Sequence, residues 1–398
     1  MKESLKNLKV ENERELTAHL IPFWKSLRDE HGGFYGLVDF DLNLHKDAPK
    51  GCILNSRILY FFSQAYKILG GEDLRECADH AWHFLRDFCL DKQNGGVFWS
   101  LNADGSPLDT TKHTYNQAFA IYALSNYFDA TGNSDALALA ESIFDLVEGK
   151  CRDMDGYLES FSRDFQPESN EKLSENGVMA ERTMNTLLHV MEAYTDFFRV
   201  SKNPRARNAL EEILKIESEK IWNEKLSRQE VFFDRNYNSL IDLHSYGHDI
   251  ESSWLIDRAM EIFDDENMKK KIAPLTRAMA EQILSRAFQK DSVLNECERG
   301  VDDETRVWWV QAEAIVGFFN AWQKSGEEKF LDAAYAVWNY IKKFVVDKRE
   351  KGEWYGYLDK NGAVKNLPIV EPWKCPYHNG RMCLEIISRI SKIEESEK

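Results

Sequence analysis

The sequence predicts an all-α fold, a single (α/α)6 barrel of about twelve helices over residues 1–398. Three observations predict it. Apolar residues recur with helical spacing over most of the chain, strand-like alternation is confined to short patches, and glycine-aromatic patches follow every second helical segment. The repeat averages about 66 residues, one helical hairpin plus its connections, so six hairpins in one closed ring is the economical arrangement.

The first segment runs roughly over 12–29 and leads to His31-Gly32-Gly33-Phe34-Tyr35-Gly36. The second, roughly 54–69, sets Ile58, Phe61, Phe62, Ala65 and Ile68 on one face, and the third, roughly 73–90, leads to Asn94-Gly95-Gly96-Val97-Phe98-Trp99. Phe119, Tyr122, Ala123 and Tyr127 mark the fourth, roughly 115–131, and the fifth, roughly 134–150, precedes Asp155-Gly156-Tyr157. The sixth and seventh, roughly 180–201 and 204–221, precede Val231-Phe232-Phe233. After the eighth and ninth, roughly 248–264 and 268–288, the expected patch near Glu298 to Val301 is degenerate. The last three run roughly over 307–325, 327–346 and 376–392, with Gly352-Glu353-Trp354-Tyr355-Gly356-Tyr357 before the twelfth. No Gly/Ser-rich or Pro-rich linker divides the chain, so one domain is expected.

Composition excludes several roles. Lys plus Arg number 51 against 67 Asp plus Glu, a net charge of −16, which leaves no basic surface to follow a phosphate backbone or an anionic lipid. No apolar run approaches the ~18 residues that span a bilayer. The seven cysteines form no CxxC pair and read as free thiols of a reducing compartment, which points to the cytoplasm. Aromatic content of 12% suits a core or a sugar cleft, and composition does not choose between them.

In such a barrel the helices after the patches all start at one end, so their first turns converge on one cavity. Those turns carry Asn55 and Arg57, His113 and Tyr115, Asn185 and His189, His248 and Glu251, Trp308 and Trp309, then Trp373, Tyr377 and His378. A single histidine on an apolar face is more often a bonded core residue than a catalyst. Three at one barrel end, His189, His248 and His378, favour catalysis. Glu251 lies three residues after His248 and is expected to orient its imidazole, the alternative being a solvated helix charge. Arg57 opens an apolar helix, so its guanidinium is kept either for a hydroxyl or oxyanion or for a structural ion pair with an inner carboxylate. Trp308, Trp309 and Trp373 serve as sugar platforms or as core.

There is no GxGxxG after a strand, no Walker loop, no HExxH and no paired cysteines for zinc, so hydride transfer, phosphoryl transfer and a metal centre lack their parts. Acid–base chemistry by imidazoles remains: taking a proton next to a carbonyl and returning it, with an arginine supporting the enediolate. Two rivals stand beside it. One is an (α/α)6 glycoside hydrolase recruiting Asp249, Glu251 and Glu313, and the other is a non-catalytic toroid that binds a carbohydrate or protein.

Several segments are familiar: SYGHDIESSW from Ser245, RVWWVQAEA from Arg306, EPWKCPYHNGRMCLE from Glu371, HTYNQAFAIYAL from His113 and MNTLLHVMEAY from Met184. They resemble the cellobiose 2-epimerase branch of the N-acylglucosamine 2-epimerase superfamily, over nearly the whole chain. The resemblance implies a monomeric, cofactor-independent (α/α)6 barrel that inverts C2 at the reducing end of a β-1,4-linked disaccharide through a cis-enediol, with some ketose as a side product. Cellobiose is the implied substrate and lactose a further one. An N-acylglucosamine 2-epimerase or an aldose-ketose isomerase is the alternative within the superfamily.

By motif, His248 and His378 would be acid and base on opposite faces of C2, while His189 and Arg57 would contact O1, O2 or the ring oxygen. Asn185, Tyr115 and Glu251 would hold hydroxyls or the histidines. Trp309 and Trp373 would stack on or flank the sugars. Which of Trp308 and Trp309 faces the cavity stays open, as does the place of Glu313.

Overall fold

In the computed structural model, which describes residues 3–397, twelve helices alternate between two concentric rings. The outer ring holds helices 3–26, 72–89, Ser134–Lys150, 204–221, 266–287 and 328–345. The inner ring holds Cys52–Leu69, Thr114–Thr131, Met184–Ser201, Tyr246–Phe263, Trp308–Ser325 and His378–Ser396. Each inner helix packs on the next, and His378–Ser396 returns to Cys52–Leu69, which closes an (α/α)6 barrel. Among the described residues no helix is long and apolar enough to cross a membrane.

The first helix begins at Glu3, earlier than its apolar period suggests, because Leu5, Leu8, Leu16 and Leu20 are buried while a long charged face conceals the pattern. Met184 starts the sixth helix later than expected. Arg182 and Thr183 before it are extended and pair with Phe233 and Phe232.

A small antiparallel turn unit follows every outer helix, pairing Arg28 with Phe34, Leu90 with Val97, Arg152 with Tyr157, Trp222 with Gln229, Phe288 with Val293 and Val346 with Trp354. The residue after each unit returns its N–H to the end of the outer helix, as in Phe98 to Cys89 (2.9 Å), Glu230 to Ile221 (2.9 Å) and Leu294 to Ala287 (3.1 Å). The repeat is therefore regular, but its fourth and fifth copies are not where the glycine-aromatic signature placed them. Val231-Phe232-Phe233 lies beyond the fourth unit, and Glu298–Val301 is the tip of a separate hairpin at the barrel mouth. Ser227 (φ 51°) and Lys290 (φ 58°) take the left-handed turn positions in these two units, so no glycine marks them.

Two further periodic contacts hold the inner helices at a common height. A buried basic residue sits two positions before five of them, namely Lys50, Lys112, Arg182, His244 and Arg306. Lys50 pairs with Asp29 (2.5 Å), Lys112 with Asp91 (3.1 Å) and Arg182 with Asp153 (2.6 Å), each acceptor lying in the preceding turn unit. At the fourth helical position, Asn55, Gln117 and Gln311 accept the N–H of Phe34 (2.9 Å), Val97 (2.7 Å) and Val293 (2.9 Å). Buried groups satisfied in this way fix geometry more than they add stability. Asn55 is thus a structural residue and does not reach the cavity. His113 is structural too, with Nε2 on Asn170 Oδ1 at 2.9 Å.

Candidate active site

The inner helices start around a cavity of about 490 Å³. Its wall includes ten of the thirteen residues expected from the sequence to converge there, Arg57, Tyr115, Asn185, His189, His248, Glu251, Trp308, Trp309, Trp373 and His378, whereas Asn55, His113 and Tyr377 are not part of it. Their convergence follows from helix geometry, because side chains in the first two turns lean toward the N-terminal end and every inner helix starts at this end, while Trp373 comes from the loop that enters the last one.

Each imidazole is held at Nδ1 by its own partner, two by a carboxylate and one by a hydroxyl. His378 Nδ1 lies 2.7 Å from Glu313 Oε1, His189 Nδ1 lies 2.9 Å from Glu192 Oε2, and His248 Nδ1 lies 2.7 Å from Ser245 Oγ. No hydrogen-bond partner for Nε2 of His248 or of His378 is present among the described residues. Burial lowers all three histidines, His248 to about 3 and His378 well below the usual range, so the imidazoles rest neutral at neutral pH.

The Trp309 ring lies against both, at 4.8 Å from His248 and 5.4 Å from His378 between centroids. Gly247 permits this approach, since a Cβ there would sit 2.4 Å from the Trp309 ring. Trp309 therefore faces the two imidazoles. Trp308 is buried edge-on to His378 at 5.5 Å, with Lys374 Nζ 5.0 Å from its ring centre. Trp373 is half-buried between Tyr115 (5.9 Å) and Trp99 (5.7 Å).

Glu251 does not orient His248, contrary to the expectation from their spacing. It turns toward the barrel axis, where Arg381 donates to it, to Glu313 (2.7 Å) and to Glu192 (2.5 Å). Three carboxylates around one guanidinium leave an excess of negative charge. Burial and the neighbouring Glu313 push Glu251 well above the usual carboxyl range, so it retains a proton. Its Oε2 has no partner among the described residues. Although burial opposes the charged form, Arg381 and His189 hold Glu192 down at about 2.

Arg57 makes no ion pair among the described residues, so the structural reading of its guanidinium does not hold. It donates to Tyr115 Oη (2.8 Å) and to the Trp373 carbonyl (3.3 Å), and it lies over the rings of Phe119 (4.2 Å) and Tyr377 (4.7 Å). A cation buried among π faces without a counter-charge is suited to a developing oxyanion. Asn185 Oδ1 is also buried without a partner among the described residues.

Reading the sequence missed Ser245, Glu192 and Arg381 as members of this cluster. Glu192 and Arg381 each lie three residues after a site histidine, which is the one signal that could have found them. At the rim, Asn176 donates to Glu296 (3.2 Å) and Glu298 (3.1 Å), joining the loop before the third inner helix to the Glu296–Asp303 hairpin. The hydrolase pair finds no geometry here: Asp249 is tied to His244 at 2.8 Å, and Glu251 and Glu313 share Arg381. Glu251, Glu313 and His378 offer atoms within 4.8 Å of one another, as a metal set would, but Arg381 already supplies a cation against both carboxylates.

The profile of one protein family, described as N-acylglucosamine 2-epimerase (GlcNAc 2-epimerase), matches residues 32–379. The chain is 48% identical over 391 residues to a cellobiose 2-epimerase of Eubacterium cellulosolvens, covering 94% of this chain and 96% of that one. Among solved structures it is similar to a sugar epimerase from a ruminal bacterium, with TM-score 0.95, 47% identity and coverage of 96% and 98%. It is also similar to the cellobiose 2-epimerase of Bacillus thermoamylovorans, with TM-score 0.93, 43% identity and coverage of 96% and 100%.

Proposed function

Because the chain belongs to the N-acylglucosamine 2-epimerase family, we propose that it inverts C2 of the reducing-end sugar of a β-1,4-linked disaccharide, converting cellobiose to glucosyl-mannose. The whole ring acts as one catalytic domain, as a cytoplasmic monomer without cofactor or metal. Lactose, which has the same reducing-end glucose, is a second substrate.

One observation carries the reading: two neutral imidazoles, held at Nδ1 by separate partners, share the face of Trp309 and leave both Nε2 atoms unpaired. After ring opening, one Nε2 removes the C2 proton while the carbonyl electrons move onto O1. Arg57 and His189 support that oxygen in the resulting cis-enediolate, the anion of the cis-enediol. The other histidine, neutral at rest and protonated from solvent once the sugar is bound, gives its proton to the opposite face of C2, so the pair exchanges protonation states with each inversion. Proton return at C1 instead yields the ketose. Asn185, Tyr115 and the protonated Glu251 hold hydroxyls, and Trp373 flanks the sugars.

The test is product analysis by NMR with cellobiose, lactose, mannose and N-acetylglucosamine. Glucosyl-mannose from cellobiose is expected. Release of glucose would replace the reading with a hydrolase, and turnover of N-acetylglucosamine or mannose alone would move it to another branch of the family.

A further inference from the structure

Ser245 occupies the N-cap position of the Tyr246–Phe263 helix, where serine ordinarily turns its hydroxyl onto a backbone N–H two or three residues on. Here it makes no such cap bond. Its hydroxyl points to His248 Nδ1 at 2.7 Å instead. At the corresponding place before the third inner helix, Thr183 does cap, accepting the N–H of Thr186 at 3.0 Å. The helix beginning at Tyr246 therefore forgoes a stabilising cap contact, and the hydroxyl is committed to the imidazole.

Ser245 is well placed to act as a fixed post. It is buried, and it lies in the Leu243–Ser245 strand opposite Glu296. The two histidines of the cavity thus rest on unlike supports. Glu313 accepts from Arg381 on Oε1 and from the Trp254 indole on Oε2, so toward His378 it acts as an acceptor, which keeps a hydrogen on Nδ1 and leaves Nε2 with its lone pair. A hydroxyl both donates and accepts. Ser245 can receive Nδ1–H when His248 is charged or is neutral with a basic Nε2, and it can donate to Nδ1 in the other tautomer.

We propose that Ser245 is a positioning residue for proton transfer by His248, aiming its Nε2 at C2 and supporting it in both protonation states, and that the two faces of C2 are therefore served by a hydroxyl-backed and a carboxylate-backed base. This rests on the two-histidine reading above. It adds that Ser245 acts through His248 alone.

The experiment isolates one face at a time by following C2 hydrogen exchange in deuterium oxide with cellobiose and glucosyl-mannose. In a His378→Asn background, where His248 is the remaining base, Ser245→Ala is expected to slow exchange about tenfold, and Ser245→Thr, which keeps the hydroxyl, to restore most of it. In a His248→Asn background Ser245→Ala is expected to leave exchange within about twofold, because an effect passing through His248 disappears with it. In the otherwise unaltered enzyme, Ser245→Ala should lower kcat with KM for cellobiose within about twofold. Equal exchange by the alanine and parental forms in the His378→Asn background would overturn the proposal, and so would a tenfold loss in the His248→Asn background, which would mark a general structural role. Parental epimerisation by His248→Asn itself would instead fell the two-histidine reading, and this outcome is distinct because it does not involve position 245.

Discussion

His378 and Glu313 meet at 2.7 Å through Nδ1 and Oε1, both buried, although 65 residues separate them in the chain. The same carboxylate oxygen accepts from Arg381 at 2.7 Å, and Glu313 Oε2 accepts from the Trp254 indole at 3.0 Å. A carboxylate held by three donors is fixed in place, and it fixes the imidazole ring in turn.

Removing that charge should impair catalysis more than binding. We expect Glu313→Gln to lower kcat about 10- to 100-fold with little change in KM, since a hydrogen bond to a charged group is worth about 1.5–3 kcal/mol. Steady-state kinetics with cellobiose measures this, and an unchanged kcat would remove Glu313 from the mechanism.

His248→Asn and His378→Asn should each abolish net epimerisation, with losses of about 10²–10⁴-fold. The remaining imidazole still takes and returns a proton on its own face. Proton NMR in deuterium oxide should therefore show C2 exchange without inversion, in opposite epimers for the two variants. Substantial inversion by both would refute these assignments.

Trp373→Ala should raise KM for cellobiose about fivefold, the loss of a stacking contact of ~1 kcal/mol. The half-buried ring borders Tyr115 and Trp99 rather than either proposed base, so kcat at saturation should change less. Parental kinetics would make Trp373 a bystander.

Outside the cavity wall, Glu217 accepts from Gln229 at 2.8 Å, and burial raises its pKa from 4.5 to about 8. A carboxyl that binds its proton more tightly when folded stabilises the fold fully below its unfolded pKa, and that contribution is lost as pH rises through about 8. Glu217→Gln keeps the shape without the titration. Thermal melts from pH 5 to about 9 should show a shallower decline for the variant than for the parent, and parallel curves would mean that Glu217 does not titrate in this range.

The helices and their ring were legible in the sequence because amphipathic spacing is a local property: Phe61, Phe62 and Ala65 identify an inner helix without knowledge of what they touch. Most of the cavity wall was legible for the same reason, since a position near the start of an inner helix determines the end of the barrel at which a side chain emerges, though it does not separate cavity residues from Asn55 and His113, which bond to the turn units and loops instead. The turn units at Trp222–Gln229 and Phe288–Val293 were not, because backbone hydrogen bonds define them and Ser227 and Lys290 take the glycine-like conformation.

Partnership was decided only by tertiary structure. Spacing offered Glu251 to His248, but closing the ring brings Arg381 between Glu192, Glu251 and Glu313, and the guanidinium outcompetes a neutral imidazole for the nearest carboxylate. That leaves His248 to Ser245 and His378 to Glu313. Helical periodicity selects which side chains enter the cavity, whereas charge balance among helices distant in sequence selects the partner each one finds there.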